Sequence, residues 1–509
     1  MACRTELSNR KSSPGKIAGW PTGTPTLCFF TAALGAFYCY LFTWPLWHTD
    51  LWGHLAYGRL ICQTGAIPET EPLMPLSAGV PFVDTAWLSQ VIGYRAYAAF
   101  GTAGLHFLFA ATITAGLSLL AWRLYRISRS VFLSVLGLAI FVWVSWQHLS
   151  IIRPQLAAMV CQILLLVLLT SRRWSPAAWA VVPVLMACWA NLHGSFAVGL
   201  AMLGAFALGR AGDVVLRTRS IAAVARDQTT RRLFGLTALS AIAVLLNPYG
   251  WRLYLEVVSA SSHENLSSLV EWGPLAFHMR QGRAFAVSVL ALMFVYRMSP
   301  RRVSCSEILQ LVGTGLATLW ISRMIVWWAP VAAYYLVLHG AAAWSRGSKQ
   351  RLKDNSMSTH QSTWWLAASM VIAVVCLANP WFSHSASQEN LSSATPVGAV
   401  DYLIEHPPAG QIFNSYEWGD YLLWAGPPGA RVFVASHAHL IPRKVWSDYL
   451  DIINVRDGWD ATLDRYRVST IVVDKAQRAE LISKLHSHPR WQVEYEDPQA
   501  VIFTRPDGG

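Results

Sequence analysis

The stretch TPTLCFFTAALGAFYCYLFTWPLWHTDLWGHL, residues 24–55, decides the fold class. It contains no Asp, Glu, Lys or Arg before Asp50. Residues 24–47 therefore form an apolar run long enough to cross a bilayer as one helix. An acidic side chain and a histidine, Asp50 and His54, follow directly. The pattern predicts a membrane helix that ends in a functional loop at the bilayer surface.

The rest of the chain has the same apolar character. Of its 509 residues 54% are hydrophobic and 13% are charged, whereas soluble domains carry about 25% charged residues. This composition excludes an ordinary soluble enzyme, a disordered chain and a small disulfide scaffold, and it predicts a polytopic α-helical membrane protein. Eleven apolar runs have the length of a span: 24–47, 102–122, 131–149, 154–171, 176–192, 194–210, 233–249, 284–299, 305–322, 324–343 and 363–381.

The basic residues between these runs predict the orientation. With a cytoplasmic N-terminal tail, residues 1–23, the inside segments hold 22 Lys and Arg and the short outside loops hold 7. Positive residues are retained on the cytoplasmic side, so we expect the N-terminus inside and the C-terminus outside. The net charge of +12 then reflects topology, and it gives no reason to expect a nucleic-acid partner.

The character of the chain changes after the last run. A transmembrane domain, residues 24–381, is followed by a Ser-rich linker, 382–400, and by a polar segment, 401–509. We expect that segment to be a small extracytoplasmic α/β domain. Its predicted strands lie at 432–434, 470–473, 491–495 and 500–504, and its predicted helices at about 458–467 and 475–487.

The long first outer loop, residues 48–101, is the sharpest local feature, and loops of this length tend to be functional. A helix from about Asp50 to Gly65 would place Asp50 and His54 on one face. A second amphipathic helix, from about Asp84, would lie in the membrane interface. An ordinary alternative for Asp50 is a helix N-cap at the membrane surface.

Polar residues recur at the outer ends of the spans, where they are costly unless they are paired or functional. We expect them to surround a cavity that opens to the outer face. Each has an ordinary alternative, namely snorkelling for Arg153, turn formation for Asn191, His193 and Asn247, and interfacial anchoring for Glu271. Arg323 lies between two spans with almost no loop, and a guanidinium there favours an anion such as phosphate. The set is Asp50, His54, Arg153, Asn191, His193, Asn247, Glu271 and Arg323.

Several motifs, in order along nearly the whole chain, resemble an uncharacterised family of bacterial multi-span proteins that is similar to the type C glycosyltransferase (GT-C) superfamily. They are Asp50-Leu51-Trp52-Gly53-His54-Leu55, Gly58-Arg59, Trp87-Leu88-Ser89-Gln90, Arg153-Pro154-Gln155, Trp189-Ala190-Asn191-Leu192-His193-Gly194, Asn247-Pro248-Tyr249-Gly250, Glu271-Trp272, Ser322-Arg323 and Phe413-Asn414-Ser415-Tyr416.

The resemblance implies an enzyme of the bacterial inner membrane. It would transfer a sugar from a polyprenyl-phosphate-linked donor to an envelope or lipid acceptor on the extracytoplasmic face. Asp50 would be the general base or would orient the acceptor, with His54 beside it. Arg323, together with Arg153, would hold the lipid phosphate. His54, His193 and Glu271 would line the sugar pocket, and the other implied substrate-binding residues are Asn191 and Trp272.

The tail carries a weaker resemblance. Trp418, Asp420 and Tyr421 are similar to the acceptor-reading motif of oligosaccharyltransferases, although packing of Trp418 at a strand edge is the favoured explanation. The sequence departs from the family at Gly53, at Glu71 and at Ala435-Ser436-His437. No second acidic residue adjoins Asp50 and the cysteines lack metal-ligand spacing, so we predict no cofactor and a divalent metal has no support.

Two other classes of function stay open from sequence. A transporter or flippase for a lipid-linked or anionic substrate often has repeated halves and broken spans, and no repeat is visible here. A non-catalytic assembly protein of envelope polysaccharide export would depend on the tail and on helix packing, and it would tolerate loss of Asp50 and Arg323.

Overall fold

The structure, a computed structural model, describes residues 25–171, 176–347, 370–373, 375 and 390–505. Its first part is helical, and most helices lie where the apolar runs predict them. Helix α2 and the first part of α3 are the two helices predicted in the first outer loop, and α8 and α10 are short additions. The helices are α1 Pro25–Phe42, α2 Leu51–Thr64, α3 Trp87–Ser128, α4 Val131–Leu149, α5 Gln155–Leu169, α6 Ala178–Leu192, α7 Phe196–Thr218, α8 Ala222–Arg226, α9 Gln228–Val244, α10 Arg252–Ser261, α11 Arg280–Met298, α12 Cys305–Trp320 and α13 Ile325–Gly347.

Five described helical segments are long and apolar enough to cross a membrane: Pro25–Phe42, Trp87–Ser128, Val131–Leu149, Phe196–Thr218 and Ser322–Ser345. Helices α5 and α6 are apolar but shorter. The predicted spans at 233–249, 284–299 and 305–322 are helical too, in α9, α11 and α12. The eleventh predicted span, 363–381, lies mostly outside the described residues, as does the tail 1–23, so the number of eleven stays a prediction.

A glycine divides the longest helix in two. Gly101 in α3 has φ 59° and ψ −147°, which is not helical, and a residue with a side chain rarely adopts this conformation. The break falls where the sequence places the boundary between the first outer loop and the second span. The amphipathic part before Gly101 and the apolar part after it can therefore run in different directions.

Helix α13 is the centre of the helical core. It packs against α3, α4, α11 and α12, and its residues from Ile325 to Val337 are almost all buried. A helix that is apolar on every side is stable only when neighbours surround it. Helix α12 approaches closely at Gly315, where a Cβ would make a tight contact of 3.1 Å with the Trp328 ring.

The C-terminal part forms a four-stranded sheet. Its strands are β1 Gln411–Asn414, β2 Val468–Asp474, β3 Gln492–Glu496 and β4 Ala500–Thr504, in the order β1-β2-β4-β3. The β1–β2 pair is parallel and the other pairs are antiparallel. Short helices lie at Val397–Glu405, Gly419–Ala425, Arg443–Ile453, Trp459–Arg465 and Ala479–His486. The first of them begins inside the predicted linker.

The predicted strand at 432–434 is wrong. These residues are buried, as a strand pattern requires, but they make only one isolated bridge, between Val432 and Ile412. The side-chain oxygen of Asn414 accepts the backbone N–H of Phe433 at 2.9 Å and so replaces a regular ladder. The strand at this edge of the sheet is β1, which was not predicted as a strand and whose residues Phe413 and Asn414 were noted only as part of a motif.

The C-terminal part packs against the first outer loop. Helix Gly419–Ala425 packs against α2. Arg59 of α2 donates to the carbonyls of Leu423 and Trp424 at 3.3 and 3.2 Å, and its guanidinium lies 4.4 Å from the centre of the Trp424 ring. This contact brings residues 416–439 to the place where the polar ends of the spans converge.

Candidate functional site

A cavity of about 540 Å³ lies between the first outer loop, the helical core and the C-terminal part. One wall is polar and carries predicted site residues from separate segments of the chain. Another part of the lining is largely apolar and comes from α7, α10 and the end of α12. The predicted residues that line the cavity are Asp50, His54, Arg153, His193, Glu271, Trp272 and Arg323.

Four charged side chains of alternating sign form a chain across the polar wall. Arg153 Nε makes a close ion pair with Asp50 Oδ2, and Arg153 Nη1 lies 2.9 Å from Glu271 Oε2. The other oxygen of Glu271 lies 3.2 Å from Arg323 Nη1. The Arg323 guanidinium also lies 4.7 Å from the centre of the Trp272 ring. Each guanidinium is thus held by a carboxylate, and two cations face one cavity.

The two arginines fix the charge of Glu271. Burial by itself would raise the pKa of Glu271, but Arg323 and then Arg153 outweigh burial and hold the pKa at about 2. Glu271 therefore stays ionised near neutral pH and acts as an anion within the cavity.

Asp50 does not cap its own helix. It occupies the N-cap position of α2, but its side chain makes no capping hydrogen bond and turns to Arg153 instead. The helix-cap interpretation is therefore wrong, while the predicted end at Gly65, with φ 69°, is confirmed. Asp50 also has φ 48° and ψ −53°, a conformation that residues other than glycine rarely adopt.

His54 is connected to a buried carboxyl group. Its Nδ1 lies 3.3 Å from Gln90 Nε2, which donates to Asp84 Oδ1 at 3.0 Å. An amide nitrogen can only donate, so this contact makes Nδ1 the acceptor and leaves the His54 proton on Nε2. Burial lowers the pKa of His54 to about 4 and raises that of Asp84 to about 7. His54 is therefore neutral near pH 7.

Sequence reasoning missed part of this wall. It used Asp84 only to mark the start of a helix and Ser436-His437 only as a departure from a family pattern. Tyr416, Ser436, His437 and His439 all line the cavity, and the rings of His437 and His54 are 5.4 Å apart. Burial lowers the pKa of His439 to about 4 and lowers that of His437 well below its ordinary value. The C-terminal part thus supplies neutral imidazoles to the cavity.

Five of the predicted residues do not line the cavity. Asn247 lies in a turn, where its Oδ1 accepts the N–H of Tyr249 at 2.7 Å and its Nδ2 donates to the carbonyls of Val244 and Gly250. Asn191 accepts from Trp87 Nε1 at 3.0 Å and donates to two backbone carbonyls. Trp418 is fully buried and donates to the carbonyl of Ala394. Tyr421 packs edge-on against Trp52, and Asp420 is buried beside Gly53. The predicted packing role of Trp418 therefore describes its position better than acceptor binding does.

No three His, Cys, Asp or Glu side chains come together as a metal site would require within the described ranges. The cavity presents ion pairs, neutral imidazoles and the Trp272 ring. Such a wall can hold an anion at the arginines and a polar, uncharged molecule at the histidines.

Comparisons with known proteins identify the fold. No protein-family model matches the chain, and no curated protein matches its sequence. The solved structure of ArnT from Cupriavidus metallidurans bound to undecaprenyl phosphate superposes with a TM-score of 0.51 at 12% identity, over 93% of this chain and 97% of that chain.

Two further solved structures have a similar fold. An oligosaccharyltransferase from Archaeoglobus fulgidus tethered with an acceptor peptide gives a TM-score of 0.53 at 11% identity, over 94% of this chain and 74% of that one. The mycobacterial arabinofuranosyltransferase AftD gives 0.52 at 15% identity, over 94% of this chain and 41% of its own length. These neighbours are GT-C glycosyltransferases, and the expected GT-C fold is confirmed.

Proposed function

We propose that this chain, which has the GT-C fold, is an integral-membrane glycosyltransferase. It takes a sugar from a polyprenyl-phosphate-linked donor and transfers it to an envelope or lipid acceptor at the extracytoplasmic face of the bacterial inner membrane. The fold supports this assignment because similar structures contain undecaprenyl phosphate or an acceptor peptide. The distribution of basic residues supports the orientation, with the cavity and the C-terminal part outside.

The observation that carries the proposal is the chain of ion pairs from Asp50 through Arg153 and Glu271 to Arg323. In the transfer, the bond between the sugar C1 and the donor phosphate oxygen breaks, and a bond from the acceptor oxygen to C1 forms. The acceptor proton goes to a base, and the phosphate leaves with added negative charge. The cavity holds a carboxylate for the proton and two guanidiniums for the phosphate.

In this assignment Asp50 accepts the proton or orients the acceptor, a contribution of about 10²–10⁴-fold in typical enzymes. Arg323 and Arg153 stabilise the departing phosphate, because fixed positive charge acts most strongly where charge develops. His54, His193 and Trp272 line the region next to the arginines and would contact the sugar. The apolar wall from α7, α10 and α12 suits a prenyl chain.

The test compares lipid-linked sugars and envelope glycans by mass spectrometry in a deletion strain. The strain is complemented with wild type, Asp50→Asn or Arg323→Ala at equal membrane levels. Asp451→Asn and Arg456→Ala, which remove a partly exposed ion pair whose residues do not line the cavity, are the matched controls.

We expect the two cavity variants to leave a glycan missing and a sugar-loaded lipid accumulated, while the controls restore the glycan. Full restoration by both cavity variants would refute the transferase and favour a transporter or an assembly protein.

A further inference from the structure

The C-terminal part brings a buried carboxyl group, that of Asp420, to the first turn of α2. Asp420 is 1% exposed, and its Oδ1 accepts the backbone N–H of Ser436 at 3.0 Å. A Cβ placed on Gly53 would stand 2.7 Å from Oδ1. The carboxyl group therefore lies directly against the start of α2, and Gly53 is the residue that leaves room for it.

The start of α2 needs such a group. The first N–H groups of a helix have no partner within the helix, and they attract negative charge. A residue such as Asp50 at the N-cap position normally satisfies them with its own side chain, but here Asp50 pairs with Arg153. Ser436 satisfies Oδ1 of Asp420, whereas buried Oδ2 has no well-formed hydrogen bond among the described residues, so Oδ2 is the oxygen available to this helix end.

The titration of Asp420 is consistent with this contact. Burial raises the pKa of Asp420 to about 7, and the charge of Asp50 adds to that rise. The N–H groups of Ser436 and Asp50 act in the opposite direction. Asp420 is thus close enough to Asp50 for both the charge and the backbone N–H of Asp50 to shift its pKa.

The backbone of Asp50 also requires support. Its positive φ is unfavourable for a residue with a side chain, and such conformations persist only where the surroundings hold them. Helix Gly419–Ala425 is fixed to α2 by Arg59 and Trp424. Asp420, in the same short helix, is therefore held in place against the strained residue.

We propose that Asp420 is a positioning residue for Asp50. It supplies the acceptor at the start of α2 in place of the Asp50 side chain, and so leaves the Asp50 carboxylate free to pair with Arg153 and face the cavity. The effect on sugar transfer rests on the proposed function, whereas the coupling between the two carboxyl groups does not.

The first experiment measures the rate at which complemented membranes form the glycan that the deletion strain lacks. Asp420→Ala should lower this rate about 100-fold through misplacement of Asp50, and Asp420→Asn, which keeps one acceptor oxygen, should lower it less. Gly53→Ala should reproduce the loss, because it displaces the Asp420 carboxyl group without removing a charge.

The affinity for undecaprenyl phosphate should not weaken in these variants, because they keep both Arg153 and Arg323. Asp448→Asn is the matched control, since Asp448 is a buried carboxylate of the same C-terminal part that pairs with Lys444 and Arg465. The control should keep the wild-type rate. An Asp420→Ala variant that also keeps this rate would overturn the proposal.

The second experiment is a double-mutant cycle on unfolding of the full chain in detergent, with Asp50→Ala, Asp420→Ala and the double variant. We expect the combined effect on the unfolding equilibrium constant to depart from the product of the single effects by about tenfold, as for contacting residues. Independent effects would overturn the positioning role whatever the transfer rate does. If the wild type transfers no sugar, the proposed function fails and the cycle alone decides the role of Asp420.

Discussion

Glu271→Gln should make the protein less stable and make it bind undecaprenyl phosphate more tightly. Glu271 is the anion between Arg153 and Arg323, and a lipid phosphate that uses these arginines must compete with it. The substitution keeps the shape of the side chain and removes its charge. The folded protein then loses two ion pairs, while an incoming phosphate meets less competition.

The size of the effect follows from the pKa of Glu271. A fall from 4.5 to about 2 corresponds to about 3 kcal/mol at about 1.4 kcal/mol per pKa unit. Since 34% of the side chain is exposed, solvent screening leaves about 1–2 kcal/mol in the free energy of unfolding. If the same amount is released to the ligand, the dissociation constant for undecaprenyl phosphate falls about 5- to 30-fold.

The assay follows tryptophan fluorescence during thermal unfolding in detergent, with undecaprenyl phosphate added in steps to obtain the dissociation constant from the shift of the midpoint. Because the pKa of Glu271 is depressed, its contribution to stability is present above about pH 4.5 and is lost as the pH falls towards 2. The difference from wild type should therefore vanish over that range.

Glu264→Gln, which removes an exposed carboxylate paired with Arg443, is the control and should change neither quantity. A Glu271→Gln variant that is folded at pH 7 and binds undecaprenyl phosphate no more tightly than wild type would refute the reasoning.

Two further predictions concern the first outer loop. Gly101→Ala should lower the free energy of unfolding by about 1–3 kcal/mol, because φ 59° with ψ −147° suits only glycine. The control is Gly93→Ala, whose methyl group would make an ordinary contact with Leu55 at 3.5 Å and should not destabilise the protein; equal denaturation midpoints for the two variants would contradict this. Asp84→Asn should flatten the pH dependence of stability. Burial raises the pKa of Asp84 to about 7, so the wild type should lose up to about 4 kcal/mol in the free energy of unfolding as the pH rises from about 4 to 7. Parallel stability curves of variant and wild type over that range would show that Asp84 does not titrate there.

The elements of the fold were predictable where the signal is local. The apolar runs predicted helices at nearly every position where they occur, and Gly65 marked the end of α2 because a positive φ is a property of a single residue. The break at Gly101 was not predicted from the residue itself, although it falls at the boundary that the apolar pattern sets between the loop and the second span. Strand 432–434 failed for the opposite reason. Its burial pattern is that of a strand, but Asn414, nearly twenty residues earlier, takes the N–H of Phe433.

The polar wall was predictable as a set of residues and unpredictable as a set of contacts. The predicted alternation of the spans places Arg153, Glu271 and Arg323 at the same end of the helices, whatever the packing. Their pairing could not be predicted, because Arg153 and Glu271 are 118 positions apart and no sequence pattern relates them. The same holds for His54 and Gln90, which pair between two helices of the loop.

The sequence by itself determined that this chain is a helical membrane protein with its polar residues gathered at one end. The length of each apolar run and the number of Lys and Arg between the runs can both be counted along the chain without knowledge of the packing. Only the tertiary structure decided that Asp50 pairs with Arg153 rather than with its own helix, and that Asp420 takes the place at the start of α2. These choices depend on which surfaces meet when distant segments pack, and a single buried carboxyl group gains or loses several kcal/mol from that environment.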